Sequence, residues 1–210
     1  MLNRTKYFCK LCLSGSFLLG LISLSSTANA QFIGINADVA IDYSAAPGSV
    51  SGYSVGISHP TPFIPNIGYS SVSFKDKETI TDSSNSVSLE TTTTIKTINL
   101  FYNVPFPVVT ITVGFGYGSQ NLNTGVETKT TIKENTDAQD TSDLKTSASE
   151  AFFHIGLPFW NTVEFHLGYH LMSFTSIDIT SERSDPFEGT YNTKKNYSGG
   201  MTTIGVQVAF

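Results

Sequence analysis

Apolar and polar residues alternate one by one in several segments of the chain, and the last ten residues show this most clearly. Their large apolar side chains occupy every second position, at Ile204, Val206, Val208 and Phe210. Successive side chains of a β-strand point to opposite faces, so a period of two indicates a strand with one apolar and one polar face. We therefore predict a C-terminal β-strand, whose last residue is the aromatic Phe210.

Seven further segments alternate in the same way or nearly so: 32–43, 50–59, 66–75, 94–104, 109–118, 151–157 and 161–174. In the cleanest of them, 109–118, Val113 falls on the apolar face and Thr112 on the opposite one. The alternation slips within 66–75, which predicts a β-bulge in that strand. Together with the C-terminal segment, these patterns predict eight strands.

The segments between these strands are of two kinds. Three are short and contain proline and aromatic residues, at 61–65, 104–107 and 158–161, whereas 75–93, 119–146 and 175–197 are long and polar. Short turns at one end and long loops at the other are typical of outer-membrane β-barrels. The composition of the long segments fits ordered loops and plain disorder equally well.

The apolar face of such strands points inward in a soluble barrel and outward, toward lipid, in a membrane barrel. Here the opposite face carries small and polar residues, and charged side chains are scarce in the strands. A soluble barrel would expose that face to water, where Lys and Glu usually dominate. Eight strands leave an interior just wide enough for side chains to fill. We therefore predict an all-β fold, an eight-stranded antiparallel transmembrane up-and-down β-barrel over residues 31–210.

Aromatic residues near the strand ends favour the membrane interpretation, because such residues collect at both membrane interfaces. Tyr43, Tyr53 and Tyr117 are predicted at the outer interface. The periplasmic interface is predicted to hold Phe63, Tyr102, Phe106, Phe159, Trp160 and Phe210.

The N-terminal segment has the pattern of a secretory signal peptide. A basic start is followed by an apolar stretch over 11–24. The small residues Ala28 and Ala30 then form a small-x-small cleavage site before Gln31. The alternative is a membrane anchor, but the apolar stretch is short for a span of about 20 residues. We predict that residues 1–30 are removed.

Removal of residues 1–30 changes the composition. Both cysteines, Cys9 and Cys12, lie in that segment, so the remaining chain has no disulfide and no thiol chemistry. It keeps nine Lys and Arg against seventeen Asp and Glu, a formal net charge of −8. An acidic chain without a basic cluster argues against a nucleic-acid partner.

Four titratable residues share the inward face of the two strands around the turn at 158–161: His154, Glu164, His166 and His170. Antiparallel pairing is expected to place His154 opposite Glu164 or His166. Imidazole and carboxylate groups suit zinc or copper, so a metal site is one interpretation. The interpretation we favour is a hydrogen-bonded interior network with no metal and no cofactor.

Asp38, Asp42 and Lys96 are predicted to join this interior network. Paired carboxylates can support acid–base chemistry, but Asp38 and Asp42 lie a strand repeat apart. The sequence shows no nucleophile elbow, phosphate-binding loop or metalloprotease helix. We predict no catalytic residue and no enzymatic activity.

The segment Gly56-Ile-Ser-His-Pro-Thr-Pro-Phe-Ile-Pro-Asn-Ile67 resembles the second strand and turn of an uncharacterised family of small outer-membrane β-barrel proteins of Gram-negative bacteria. The later turns at 104–107 and 157–160 and the terminal Phe210 fit the layout of that family. The long Thr- and Ser-rich segments depart from it. The resemblance implies a barrel in the cell outer membrane and no assigned activity.

We therefore expect a monomeric barrel with a structural or surface-interaction role in the cell envelope. Its partners would be outer-membrane lipid and, through the C-terminal strand and Phe210, the periplasmic chaperones and the barrel-assembly machinery. The alternative is a narrow transport or ligand-binding barrel for small or apolar molecules.

Overall fold

The computed structural model describes residues 33–61, 63–82, 85–134, 137–160, 162–183 and 189–210. The predicted signal peptide lies outside the described residues. Within them, no helix has the length and apolar character of a membrane span. A short 3-10 turn covers Gln120–Leu122. The strands of the described chain are β1 Gly34–Tyr43, β2 Val50–Ser58, β3 Asn66–Asp82, β4 Asn85–Pro105, β5 Thr110–Gly118, β6 Gly125–Glu134, β7 Asp137–Thr146, β8 Ala148–Trp160, β9 Val163–Phe174, β10 Ile177–Arg183, β11 Gly189–Lys195 and β12 Gly199–Ala209.

Eight of these strands form a closed antiparallel barrel in the order β1-β2-β3-β4-β5-β8-β9-β12. The barrel closes because β1 pairs with β12 as well as with β2, so each of the eight strands has two neighbours. The backbone amide of Phe210 extends this seam by donating to the carbonyl of Ile33 at 2.8 Å. The predicted fold class, an eight-stranded antiparallel barrel, is confirmed.

The ends of the barrel differ. We call the end with the connections β2–β3, β4–β5 and β8–β9 the turn end, and the opposite end the hairpin end. At the hairpin end β3 and β4 continue as a two-stranded ribbon, β6 and β7 form a hairpin that pairs with the outer half of β4, and β10 pairs with β11. The segments treated as loops or disorder in the sequence therefore contain four additional strands.

The turn-end part of the barrel is apolar outside and mainly polar inside, with Phe101 and Phe152 buried among the polar side chains. Side chains that point away from the barrel there are large and exposed, including Ile35, Val55, Ile67, Leu100, Phe115, Ile155, Phe165 and Val206. Val113 is 45 % exposed and Thr112 only 3 %, as predicted from their alternation. The inward side chains include Asn36, Asp38, Ser54, His154, His166 and Gln207.

The hairpin-end part has the opposite arrangement. Its interior is filled by an apolar cluster, which we call the apolar plug: Tyr43, Val72, Phe74, Ile95, Val126, Ala148, Met172, Phe174, Tyr197 and Met201. On the outside at this level Ser51 and Lys75 are polar and exposed, although Leu171, next to Met172 of the plug, is still an exposed apolar side chain. The polarity of the barrel wall therefore largely reverses along its axis.

In two strands, β1 and β3, the predicted faces or bulge are wrong at the hairpin end. In β3 the pairing with β2 and β4 runs without a register shift, so the predicted bulge is absent from this described strand, and Val72 and Phe74 turn into the plug. In β1 the register shifts between Ala40 and Asp42. An extra residue at a bulge exchanges the faces of all residues beyond it. Tyr43 is consequently buried.

Candidate functional site

Most of the titratable side chains inside the barrel belong to one polar network, and Glu150 on β8 anchors its inner end. Glu150 is 1 % exposed. Its carboxylate accepts hydrogen bonds from Thr97 Oγ1 at 2.5 Å, from Ser70 Oγ at 2.8 Å and from His170 Nδ1. The sequence interpretation missed Glu150 because the predicted strand began one residue later. Its even position, shared with His154, was the available signal.

His170 connects Glu150 to His154. Because Nδ1 of His170 donates its proton to Glu150, Nε2 of the same ring carries a lone pair and accepts. The two groups within reach of that nitrogen are His154 Nε2 and Thr203 Oγ1, both at 3.1 Å. Either group can donate this bond; when His154 donates it from Nε2, the Nδ1 of a neutral His154 ring faces the barrel interior with a lone pair.

A second branch begins near the turn end at Glu164 on β9. Its carboxylate accepts a hydrogen bond from Thr110 Oγ1 at 2.5 Å and one from His166 Nε2 at 2.8 Å. His166 Nδ1, on the other side of the ring, faces the barrel interior, and in the neutral ring with its proton on Nε2 it carries a lone pair. Asn103 closes this level by accepting from Thr112 and donating to Gln207.

The two branches meet at Asp38 on β1. Asp38 Oδ1 lies 3.7 Å from His166 Nδ1 and 4.0 Å from His154 Nδ1, and both distances exceed a hydrogen bond. These three atoms are buried and have no hydrogen-bond partner among the described residues. The other carboxylate oxygen, Oδ2, accepts from Ser54 Oγ at 3.0 Å.

Glycines make this approach possible. Asp38 pairs with Gly205 of β12, and Gly205 pairs with His166 of β9, so the two side chains meet across a residue that has none. A Cβ at Gly205 would overlap Asp38 Oδ1, and one at Gly168 would overlap the His154 ring. Gly205 and Gly168 therefore leave room for the side chains of Asp38 and His154 to approach His166.

Two residues assigned to the interior network lie elsewhere. Asp42 is exposed, because the bulge in β1 turns it outward. Lys96 shares the outward face of β4 with Ile98 and Leu100 and forms an ion pair with Glu127 of β6 at 3.3 Å. The inward assignment of Lys96 was wrong, although the parity of its own strand already indicated the outer face.

The expected partner of His154 was also wrong. His154 pairs with Gly168, because the β8–β9 turn comes later than predicted and a register shift lies between Pro158 and Trp160. The ring of His154 nevertheless lies close to two others, with centroids 5.0 Å from His170 and 5.9 Å from His166.

The charges in this interior are unequal. Asp38, Glu150 and Glu164 contribute three carboxylates. The Lys residues of the eight barrel strands, Lys75, Lys77 and Lys96, lie on the outside. Buried carboxylates are stable only when a cation or donated hydrogen bonds compensate them. Glu150 has such bonds, whereas Asp38 Oδ1 has none among the described residues.

No protein-family model and no curated protein matches the chain. Solved structures do match it. Neisserial surface protein A (NspA) is 14% identical over 85% of this chain and 96% of that chain, with a TM-score of 0.46. The N-terminal β-barrel domain of Pseudomonas aeruginosa OprF is 13% identical over 85% of this chain and 96% of that chain, with a TM-score of 0.44. A major outer membrane protein from Thermus thermophilus is 9% identical over 85% and 98% of the chains, with a TM-score of 0.50.

At these identities the matches concern the fold alone. The Thermus structure carries that comparison, because its TM-score is the highest of the three. It agrees with the barrel closure seen in the strand pairing.

Proposed function

We propose that this protein is a small barrel of the cell outer membrane with a structural or surface-interaction role and without catalytic activity. The turn end would face the periplasm and the hairpin end the exterior. The reversal of wall polarity supports this placement. A wall that is apolar outside suits lipid, and one that is polar outside over an apolar interior suits water.

The filled interior is the observation that carries the proposed role. The polar network occupies the turn-end part, and the apolar plug, with Phe74 1 % exposed, occupies the hairpin-end part. Eight-stranded barrels have interiors that side chains can fill. A barrel filled in this way supports a scaffold or a surface module better than it supports the alternative, a narrow transport barrel.

The hairpin-end extensions would supply the contact surface. The β3–β4 ribbon and the β6–β7 hairpin extend the pairing of β4 well past the plug, to Ser88↔Lys133 and beyond. Regular pairing holds these ribbons in one shape, which favours defined contacts with partners or neighbouring molecules outside the cell.

The turn end of the barrel has an exposed feature that suits recognition during barrel assembly. Phe210 is 71 % exposed at the end of β12, where its side chain is accessible to a binding protein. We propose that chaperones and the barrel-assembly machinery read this strand and residue, that outer-membrane lipid surrounds the wall, and that the barrel is a monomer because all eight of its strands are paired on both sides.

Single-cysteine labelling tests the placement. Ser49 is exposed at the hairpin end and Thr61 at the turn end. In intact cells a membrane-impermeant maleimide should label Ser49→Cys, and it should label Thr61→Cys only after the outer membrane is permeabilised. Equal labelling of both positions in intact cells would contradict the proposed orientation.

Conductance in planar bilayers tests the role. The refolded wild type should give no stepwise conductance above background, because the plug closes the interior. The double variant Phe74→Ala, Met201→Ala removes two large side chains from the plug while the polar network still fills the turn-end part, so it shows whether the plug alone closes the interior. Regular conductance steps in the wild type would favour the transport alternative.

A further inference from the structure

Three buried polar atoms face one another inside the barrel, and none of them has a hydrogen-bond partner among the described residues. They are Asp38 Oδ1, His154 Nδ1 and His166 Nδ1, which all lie within 4.8 Å of one another. When both rings are neutral and carry their proton on Nε2, each Nδ1 directs a lone pair toward the carboxylate. A cation between the three atoms would satisfy all of them at once.

We propose that Asp38, His154 and His166 form a binding site for a divalent transition metal, with zinc the best match. Two imidazole nitrogens and one carboxylate oxygen are a ligand set typical of zinc sites that keep a fourth position for water or another small ligand. The ligands come from β1, β8 and β9, so the bound ion joins three strands from within. Metal binding by these three residues does not depend on the outer-membrane placement proposed above.

The spacing fits a metal after a small adjustment. Bonds of about 2.0–2.1 Å at tetrahedral angles place neighbouring ligand atoms roughly 3.4 Å apart. The separations of 3.7 and 4.0 Å from Asp38 Oδ1, and the third separation, which lies within 4.8 Å, therefore need to shorten by at most about 1.4 Å. Rotation of the three side chains toward one another is the movement that metal binding requires.

The residues behind the ligands support the same assignment. Metal-bound histidines usually donate their second ring N–H to a carboxylate or another acceptor, which fixes the tautomer and raises the basicity of the ligand. His166 donates to Glu164, and His154 donates to His170, which in turn donates to Glu150. Ser54 holds the remaining oxygen of Asp38.

The structure thus changes the set of ligands from the one the sequence suggested. Glu164 and His170 were candidates together with His154 and His166, but their side chains orient the two ligating rings rather than facing the centre. Asp38 takes their place, because β12 between β1 and β9 carries Gly205 at this level.

Zinc titration of the refolded full-length barrel tests the proposal. We expect one zinc per chain by calorimetry, with a sub-micromolar Kd and a melting temperature that rises with added zinc. Asp38→Asn and His166→Gln should each weaken binding by more than about 100-fold, because each loses a ligand atom. Glu164→Gln should weaken it by about 10–100-fold through the orientation of His166.

Two matched controls separate this site from adventitious binding. His59→Gln removes the histidine at the β2–β3 turn and should leave the affinity unchanged. Gly205→Ala keeps every ligand but places a Cβ against Asp38, so it should weaken binding by at least about 10-fold. Gly200→Ala, in the same strand, meets only the end of the Tyr169 side chain and should not weaken binding.

Cobalt gives a readout that needs no variant. Co²⁺ bound to the wild-type barrel should show the intense visible absorption of tetrahedral coordination, and added zinc should remove it. Absence of stoichiometric zinc binding, absence of a cobalt spectrum, or an affinity that is equal in wild type, Asp38→Asn and His154→Gln would each overturn the proposal. Loss of zinc binding in His59→Gln alone would assign the metal to the turn and also overturn it.

Discussion

The turn-end and hairpin-end parts of this barrel are built from the same strands, but their apolar side chains lie on opposite faces of the wall. At the turn end, Phe165 and Val113 point outward while His166 and Thr112 point inward; at the hairpin end, Phe74 points inward and Lys75 outward. A single strand such as β3 takes part in both arrangements. The comparison shows that one strand can carry its apolar side chains on the outer face at one level and on the inner face at another.

The largest effect is expected in the plug. Phe74→Ala should reduce the free energy of unfolding by about 3–5 kcal/mol, because it leaves a cavity in a packed apolar interior. Phe165→Ala, on the outer wall at the turn end, leaves no enclosed cavity and should cost less. Denaturant unfolding of both variants in the same micelles or vesicles checks the difference. Equal costs would contradict the idea that only the hairpin end has a packed apolar core.

The second largest effect is expected from a positive charge placed on the outer wall of the barrel. Val113→Arg places a cation on the apolar outer wall and should cost about 2–4 kcal/mol in a bilayer. Ser51→Arg, on the outer wall of the hairpin end, should change stability by at most about 0.5 kcal/mol because its side chain already faces water. Refolding equilibria in lipid vesicles measure both. A large cost for Ser51→Arg would move the membrane boundary toward the hairpins.

The polar interior of the turn end should be sensitive to the loss of one charge. Glu150→Gln keeps the volume but removes the charge that receives three hydrogen bonds, and it should cost about 1–3 kcal/mol. Glu127→Gln breaks the partly exposed ion pair with Lys96, which is worth at most about 1 kcal/mol. Thermal unfolding of the two variants, followed by circular dichroism, should separate them. Similar melting temperatures would mean that burial does not strengthen the network.

The smallest effect concerns pH at the hairpin end. Asp76 accepts hydrogen bonds from Tyr197 and Lys195 at 2.9 and 3.0 Å. Burial would lower the pKa of Lys195, but its bonds to Asp76 and Glu78 raise that pKa overall; burial and the bond to Asp76 both raise the pKa of Tyr197. Both residues are therefore held in their protonated forms, and the stability they contribute is complete below the unfolded pKa values of about 10.

That contribution should disappear as the pH rises above about 10.5, through the raised pKa values. Protease nicking of the β10–β11 hairpin should accelerate in that range while the barrel stays folded. In Asp76→Asn the acceleration with pH should be smaller, because the bonds that hold Lys195 and Tyr197 are weakened at every pH. An unchanged alkaline acceleration in this variant would show that other groups cause it.

The sequence predicted the eight barrel strands because each has an apolar outer face and a mainly polar inner face at the turn end, and this contrast produces alternation. It missed β6 and β7 because no apolar period develops in this Thr-rich, charged stretch; even the buried face of β6 carries Thr128 and Thr130 beside Val126. The Thr-rich composition was the remaining signal, since β-branched residues favour strands. The bulge that turned Tyr43 inward was invisible because a single extra residue leaves no mark in composition.

The candidate site shows the same division. Alternation placed Asp38, His154 and His166 on the inward face, because the face of a strand residue depends on its immediate neighbours alone. Which of them meet depends on register across three strand pairs and on the absence of a side chain at Gly205. Sequence by itself therefore determined the eight barrel strands, most of their faces at the turn end and the chemistry available inside the barrel. Only the tertiary structure decided which of these side chains converge, since that requires residues far apart in the chain to share one level of a closed sheet.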